Sequence, residues 1–218
     1  MNQCSPKSII FDLDGTLIDS FPGIFQSLEH AVAKVNQQLK LTALKNHIGP
    51  PLSKMLSRMW PDQADEERNE VLREFRQDYN NRGCLFSVAY PGIPEALHQF
   101  CSLGLEMFVL TNKPDAPTRK ILKHLVLEGY FTEILSPDSV TPNLSSKSAG
   151  AHLLVGKHSL IPEDTLLVGD SLDDLAAAQS AGFDFMEAAY GYGLFDQGAK
   201  LKPWLRLKSP KDLAKVIV

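Results

Sequence analysis

Cysteine is scarce in this chain. Cys4, Cys84 and Cys101 are the only three, they lie far apart, and no two form a Cys-x-x-Cys pair. That excludes a disulfide framework and fits reduced thiols in a cytoplasmic protein. Long apolar runs are missing as well. Nothing approaches the roughly 18 consecutive apolar residues of a membrane span, and residues 1–7 lack the apolar segment of a secretory leader. Neither sign of charge dominates: 22 Lys and Arg stand against 26 Asp and Glu, for a net charge of −4. This argues against a general nucleic-acid or membrane binder. The basic tail of Lys200, Lys202, Arg206, Lys208 and Lys211 around Trp204 reads as solvated surface. The six histidines show no metal-like spacing. Gly150 to Lys157 imitates a phosphate-binding P-loop, but it has one residue too many between its glycines and no Ser or Thr after Lys157. Gly191-Tyr192-Gly193 lacks the third glycine of a dinucleotide fingerprint; Asp196 stands there.

What the chain does have is a short apolar run, Ile9-Ile10-Phe11, closed by two carboxylates at spacing two, Asp12 and Asp14, with Gly15 at once behind them. The run has strand length, and the glycine turns it. Two acids at the carboxyl end of a buried strand are costly to desolvate unless something positive binds them. A hard divalent cation with a phosphoryl group would supply that reason. A calcium loop of the EF-hand type also begins with acids two apart, but it needs Gly at its sixth position and Glu at its twelfth. Here Gly15 falls at the fourth and Gly23 at the twelfth, so that reading fails.

With 218 residues, 44% of them hydrophobic, the chain suits one large domain or two small ones with a sizeable core. After Leu17 the rhythm becomes helical: Ile24, Leu28, Ala31, Val35 and Leu39 recur at helical spacing. Short helices are expected over 41–47 and 52–60, separated by the break Ile48-Gly49-Pro50-Pro51, and a charged one over 63–82. Its acids, Asp65, Glu66, Glu67 and Glu70, read as a solvated face. No strand is expected between Leu17 and about Leu85, so this block reads as a separate helical domain. From Val88 onward strands alternate with helices: strands near 105–110, 134–135, 165–168, 184–187 and 204–207, helices between and after them. Such alternation implies a parallel sheet, whose ligands sit outside the carboxyl ends of its strands. Thr111 and Asn112 fall directly after one strand. Gly169, Asp170 and Ser171 fall after another, at the head of a helix for which Ser171 and Asp174 also spell a capping box.

These motifs, in order, carry a resemblance. Asp-Leu-Asp-Gly-Thr-Leu-Ile-Asp-Ser (residues 12–20) resembles the first motif of the haloacid dehalogenase superfamily, whose members are mostly magnesium-dependent phosphatases. Thr111, in the string Thr-Asn-Lys, resembles the second, and Gly-Asp-Ser-Leu-Asp-Asp with Ala178, Ala181 and Gly182 resembles the fourth. The third motif, a lysine before the fourth, matches Lys147, although Ser148 replaces the usual proline; Lys113 is its rival. Residues 48–52 and the string Tyr190-Gly191-Tyr192-Gly193 are similar to phosphoglycolate phosphatase-like members. The resemblance implies a Rossmann-like α/β core (1–16 and 86–218) with an inserted helical cap (17–85). It implies a Mg²⁺-dependent phosphatase with Asp12 as nucleophile and Asp14 as general acid and base. Thr111 and Lys147 would be catalytic, and Asn112, Gly15 and Thr16 would bind phosphate. Asp12, Asp14 (through its carbonyl), Asp170 and Asp174 would form the metal site. The implied partner is a small phosphorylated metabolite, acted on by a monomer or homodimer. A pyrophosphatase, a phosphomutase and a non-catalytic phosphate-binding protein remain alternatives. Lys54 and Arg58, one turn apart, could meet a substrate anion but read more simply as a solvated face.

Overall fold

Strand β1 (Ser8–Phe11) is buried at every position, as its apolar run requires. It is followed by a turn and the two-residue β2 (Ile18–Asp19). Helices α1 (Phe21–Val35), α2 (Leu52–Met59) and α3 (Asp65–Asn81) come next, then a 3₁₀ turn over Gly83–Phe86 and β3 (Val88–Ala89). Helix and strand then alternate through α4 (Ile93–Ser102), β4 (Glu106–Leu110), α5 (Asp115–His124), β5 (Glu133–Leu135) and α6 (Lys147–His158). The series ends with β6 (Thr165–Gly169), α7 (Leu172–Ala181), β7 (Asp184–Ala188), β8 (Leu205–Leu207) and α8 (Leu213–Val216). This computed structural model describes residues 6–35, 52–193 and 205–216. The helix expected over 41–47, the Ile48–Pro51 break and the start of the basic tail, with Lys200, Lys202 and Trp204, lie outside the described residues. None of the described helices is long and apolar enough to cross a membrane.

The chain divides into two compact units, Met1–Asp19 with Ala89–Val218, and Ser20–Val88. The first holds a six-stranded sheet of order β5-β4-β1-β6-β7-β8, parallel throughout. Its central strands are apolar on both faces, as a sheet covered on both sides demands. On one face Ile10, Phe108 and Leu167 pack with Ala151 and Leu154 of α6 and Leu175 and Ala178 of α7. Each of the Ile, Leu and Phe side chains fully buried contributes roughly 1.5–3 kcal/mol. The order reverses at β1: the chain runs outward through β4 and β5, then returns to β6 on the other side. Parallel sheets open a crevice for ligands at such a reversal.

The second unit is built on α1 and α3. Leu28, Ala31 and Val32 of α1 and Val71, Leu72, Phe75 and Tyr79 of α3 are buried, at the helical spacing of a single apolar stripe. Ser27 donates to Asp78 across the pair at 2.7 Å. Asp65, Glu66 and Glu67 occupy the first turn of α3, where the helix dipole favours negative charge. Lys54 and Arg58 are exposed on α2.

β2 departs from expectation, since a strand lies between Leu17 and Leu85. A two-residue strand has no periodicity to read; it exists because Ile18–Asp19 pairs with Val88–Ala89. That pairing keeps Ile18 and Asp19 with the sheet-bearing unit, so the division falls three residues later at each crossing than residues 16/17 and 85/86.

Candidate active site

Three neighbouring strands end together at the reversal. Phe11 is in register with Val109 of β4 and Val168 of β6, so the residues that follow, Asp12, Thr111 and Asp170, emerge at the same edge. Asp12 continues the ladder by donating its N–H to the Val168 carbonyl (2.9 Å), and Thr111 does likewise to Leu135 (3.1 Å). Asp12, Thr111 and Asp170 are all buried.

Lys147 enters from the first turn of α6, whose N-cap Ser146 accepts the Ala149 N–H. A lysine is unfavourable against the positive end of a helix dipole, and here two carboxylates outweigh that. Its Nζ lies 2.6 Å from Asp12 Oδ1 and 2.5 Å from Asp174 Oδ1, with side-chain exposures of only 4%, 7% and 1%. Burial alone would lower the lysine pKa, but the attraction of Asp12 and Asp174 raises it above its ordinary value, so the ammonium stays charged. Asp174 is fully engaged: its Oδ2 accepts the Ser171 N–H (2.9 Å) and hydroxyl (2.5 Å) in a complete capping box on α7.

Asp170 completes the cluster. One carboxylate oxygen from each of Asp12, Asp170 and Asp174 lies within 4.8 Å of the others. One lysine against three carboxylates leaves two negative charges uncompensated in a buried pocket. The electrostatics register that shortage. Burial pushes the Asp12 carboxyl well above its usual range against the pull of Lys147, and Asp174 and Asp170 add to the rise. Burial, with repulsion from Asp174, pushes Asp170 up to about 6. Hard oxygen donors in this number suit a divalent cation such as Mg²⁺. The donor set therefore fits the metal expected from the sequence.

The remaining candidates group around a second pair. Lys113 Nζ sits 2.9 and 3.0 Å from the two oxygens of Asp14, so Asp14 and Asp12, two apart in sequence, face different lysines. The Lys113 N–H donates to Thr111 Oγ1 (3.1 Å), and the Asn112 amide donates to Asp173 (3.2 Å). Gly15 and Thr16 use their N–H groups inside the turn, on Ile18 and Leu13. Gly15 has φ +86°, and a Cβ there would stand 2.1 Å from Asp170 Oδ2; the position requires glycine for both reasons. The Thr16 hydroxyl is buried and has no hydrogen-bond partner among the described residues.

Sequence reasoning assigned no role to residues 190–193, yet they touch the site. The N–H groups of Tyr192 and Gly193 both donate to Asp170 Oδ2, at 2.7 and 3.0 Å. Two closely spaced glycines flanked by tyrosines were the available signal, and the tight approach they permit was not readable without the fold. Asp174, expected at the metal, lies in the carboxylate cluster with Asp12 and Asp170, and its two oxygens also accept from Lys147 and Ser171.

The family model described as haloacid dehalogenase-like hydrolase matches residues 9–188. A curated relative, Tyrosine-protein kinase PtkA of Mycobacterium tuberculosis, is 34% identical over 194 residues, 88% of this chain; the chain spans 65% of that relative's length. Phosphoglycolate phosphatase of Mannheimia succiniciproducens is 31% identical over 220 residues, 97% of this chain and 98% of the relative. A solved structure described as a predicted phosphoglycolate phosphatase from Haemophilus somnus superposes with a TM-score of 0.83 at 31% identity, covering 96% of this chain and 97% of that one.

Proposed function

The chain belongs to the haloacid dehalogenase-like hydrolases, and from that premise we propose that it is a phosphatase acting on a small phosphate monoester of the phosphoglycolate kind. Asp12 is the nucleophile. Its carboxylate attacks phosphorus, the bond to the leaving oxygen breaks, and an aspartyl-phosphate forms. Asp14 gives the leaving alkoxide a proton and then takes one from the water that hydrolyses the intermediate. Lys147 fixes the Asp12 carboxylate through Oδ1 and carries positive charge to the transferring group. Thr111 and Asn112 steady the phosphoryl oxygens from the end of β4, by positioning and charge stabilisation. Gly15 and Thr16 form the turn that presents Asp14. Asp12, Asp170 and the Asp14 carbonyl would hold Mg²⁺, which when bound neutralises phosphoryl charge as a Lewis acid. Asp174, with both oxygens engaged, positions Lys147.

The observation that carries this reading is the single lysine buried between Asp12 and Asp174, with Asp170 alongside. The likeness to phosphoglycolate phosphatases over nearly the whole chain supports the substrate class. Residues 20–88 serve as the cap that selects the leaving group, and the scattered cysteines support a cytoplasmic setting. A screen of phosphorylated metabolites with free phosphate as readout tests the proposal. Release from a few small esters, 2-phosphoglycolate among them, is expected, and chelation silences it. Turnover that survives saturating chelator overturns the metal assignment.

The likeness to PtkA favours a second reading, in which the Asp12 phosphoryl group passes between a nucleotide and a protein tyrosine. Stable label on a tyrosine peptide after incubation with γ-labelled ATP supports that reading; label appearing only as free phosphate supports the first.

A further inference from the structure

The segment 190–193 is tied at every residue that can reach a partner. The Tyr190 hydroxyl donates to the Thr16 carbonyl at 2.9 Å, and the Tyr192 hydroxyl donates to Asp19 Oδ1 at 2.5 Å. Tyr90 meets the Tyr190 ring edge-on, with centroids 5.1 Å apart. The N–H groups of Tyr192 and Gly193 converge on one oxygen, Asp170 Oδ2, while that of Gly191 donates to the Ala188 carbonyl. The glycines are there for closeness. A Cβ at Gly193 would stand 1.6 Å from the Asp170 carbonyl oxygen, and one at Gly191 would stand 2.2 Å from the Gly15 carbonyl oxygen.

We propose that this segment is a clasp that sets which oxygen of Asp170 faces the cation, and that Tyr192 is its positioning residue. The inference rests on the metal reading above. With Oδ2 saturated by two N–H donors, Oδ1 is the oxygen left for a metal, and the carboxylate cannot rotate to exchange them. Outer partners of metal ligands act in this way, orienting the donor atom. Tyr192 adds a second link, because its backbone holds Asp170 while its hydroxyl holds Asp19, the last residue before the chain leaves the sheet-bearing unit. The same tyrosine thus ties cation binding to the turn over residues 14–19. By reciprocity, a cation at Asp170 orders that turn as much as the turn favours the cation.

Calorimetric titration of Mg²⁺ into substrate-free protein tests the clasp without any turnover. Tyr192→Phe keeps the backbone donor and removes the hydroxyl's tether to Asp19 together with its hydrogen bond to Tyr90, and we expect its Mg²⁺ affinity to fall on the order of tenfold. Asp19→Ala should give a similar fall, and the double variant should be no weaker than either single one. Asp19→Asn, which keeps an acceptor, should restore most of the affinity. A purely structural role would lower the thermal midpoint of Tyr192→Phe and leave its Mg²⁺ affinity at the wild-type value, and that result overturns the clasp alone. Additive losses in the double variant overturn it too. A wild-type protein that takes up no Mg²⁺ overturns the metal reading and the clasp together.

Discussion

Lys147 and Lys113 each meet a carboxylate of the motif Asp12-Leu13-Asp14, yet their surroundings differ. Lys147 lies between Asp12 and Asp174 with all three side chains nearly dry. Lys113 holds Asp14, whose side chain keeps 23% of its exposure. The difference matches the two tasks proposed for the acids. A nucleophile must be aimed and its charge balanced, which a fixed cation in a dry pocket does best. An acid that hands its proton to a leaving group and retrieves one from water must stay reachable.

Asp12→Asn should have the largest effect, since an amide cannot form the acyl-phosphate; phosphate release should vanish while circular dichroism shows an intact fold. Lys147→Ala comes next. A charge-assisted hydrogen bond contributes roughly 1.5–3 kcal/mol, or about 10- to 150-fold in turnover at saturating Mg²⁺. The same change should lower stability, because removing one partner of a buried pair costs about 3–5 kcal/mol. The Lys147 pKa is raised on folding, so its stabilisation is fully present at neutral pH, below the unfolded value, and fades only as pH climbs through the folded one. Urea unfolding at pH 7 reads that loss. Lys113→Ala should cost about fivefold or less in turnover, in line with the ~1 kcal/mol ceiling of a partly solvated ion pair. A crippled Lys113→Ala beside a nearly silent Lys147→Ala would exchange the two assignments and leave Asp12 as nucleophile. Smallest is Ser171→Ala, which removes the cap behind Asp174: about 1 kcal/mol of stability, read by urea unfolding, with the Lys147 contact kept.

The parts of this site that were legible in sequence are those encoded locally. An apolar run ending in Asp-x-Asp-Gly, or in Gly-Asp-Ser, marks both a strand and the groups at its tip, so β1, β6, Asp12 and Asp170 could be read directly. Lys147 was harder, because its helix stripe gives no hint that the side chain turns inward; only the carboxylates reached through the sheet explain why a lysine tolerates burial there. Asp174 was read both as a helix cap and as a metal-site residue. The structure shows it capping α7 and holding Lys147 with its two different oxygens, which no linear pattern separates. The clasp at 190–193 depends on close approach between segments some 175 residues apart, as Tyr190 to Thr16 shows, and such contacts leave only a pair of glycines as their trace.

The ribbon of β2 and β3 has a consequence for how such a chain can change over time. Residues 20–88 leave the sheet-bearing unit beside the point where they return, because Ile18–Asp19 and Val88–Ala89 are paired strands. To the rest of the fold, the whole helical block is one loop with its ends already stapled. The entropy of closing a loop grows only logarithmically, about 0.6 kcal/mol for each doubling of its length. An ancestor could therefore lengthen, shorten or exchange this block at little thermodynamic penalty, leaving the strands that carry Asp12, Thr111 and Asp170 in register. The doorway is held by hydrogen bonds, and what is built beyond it can change in length at little cost.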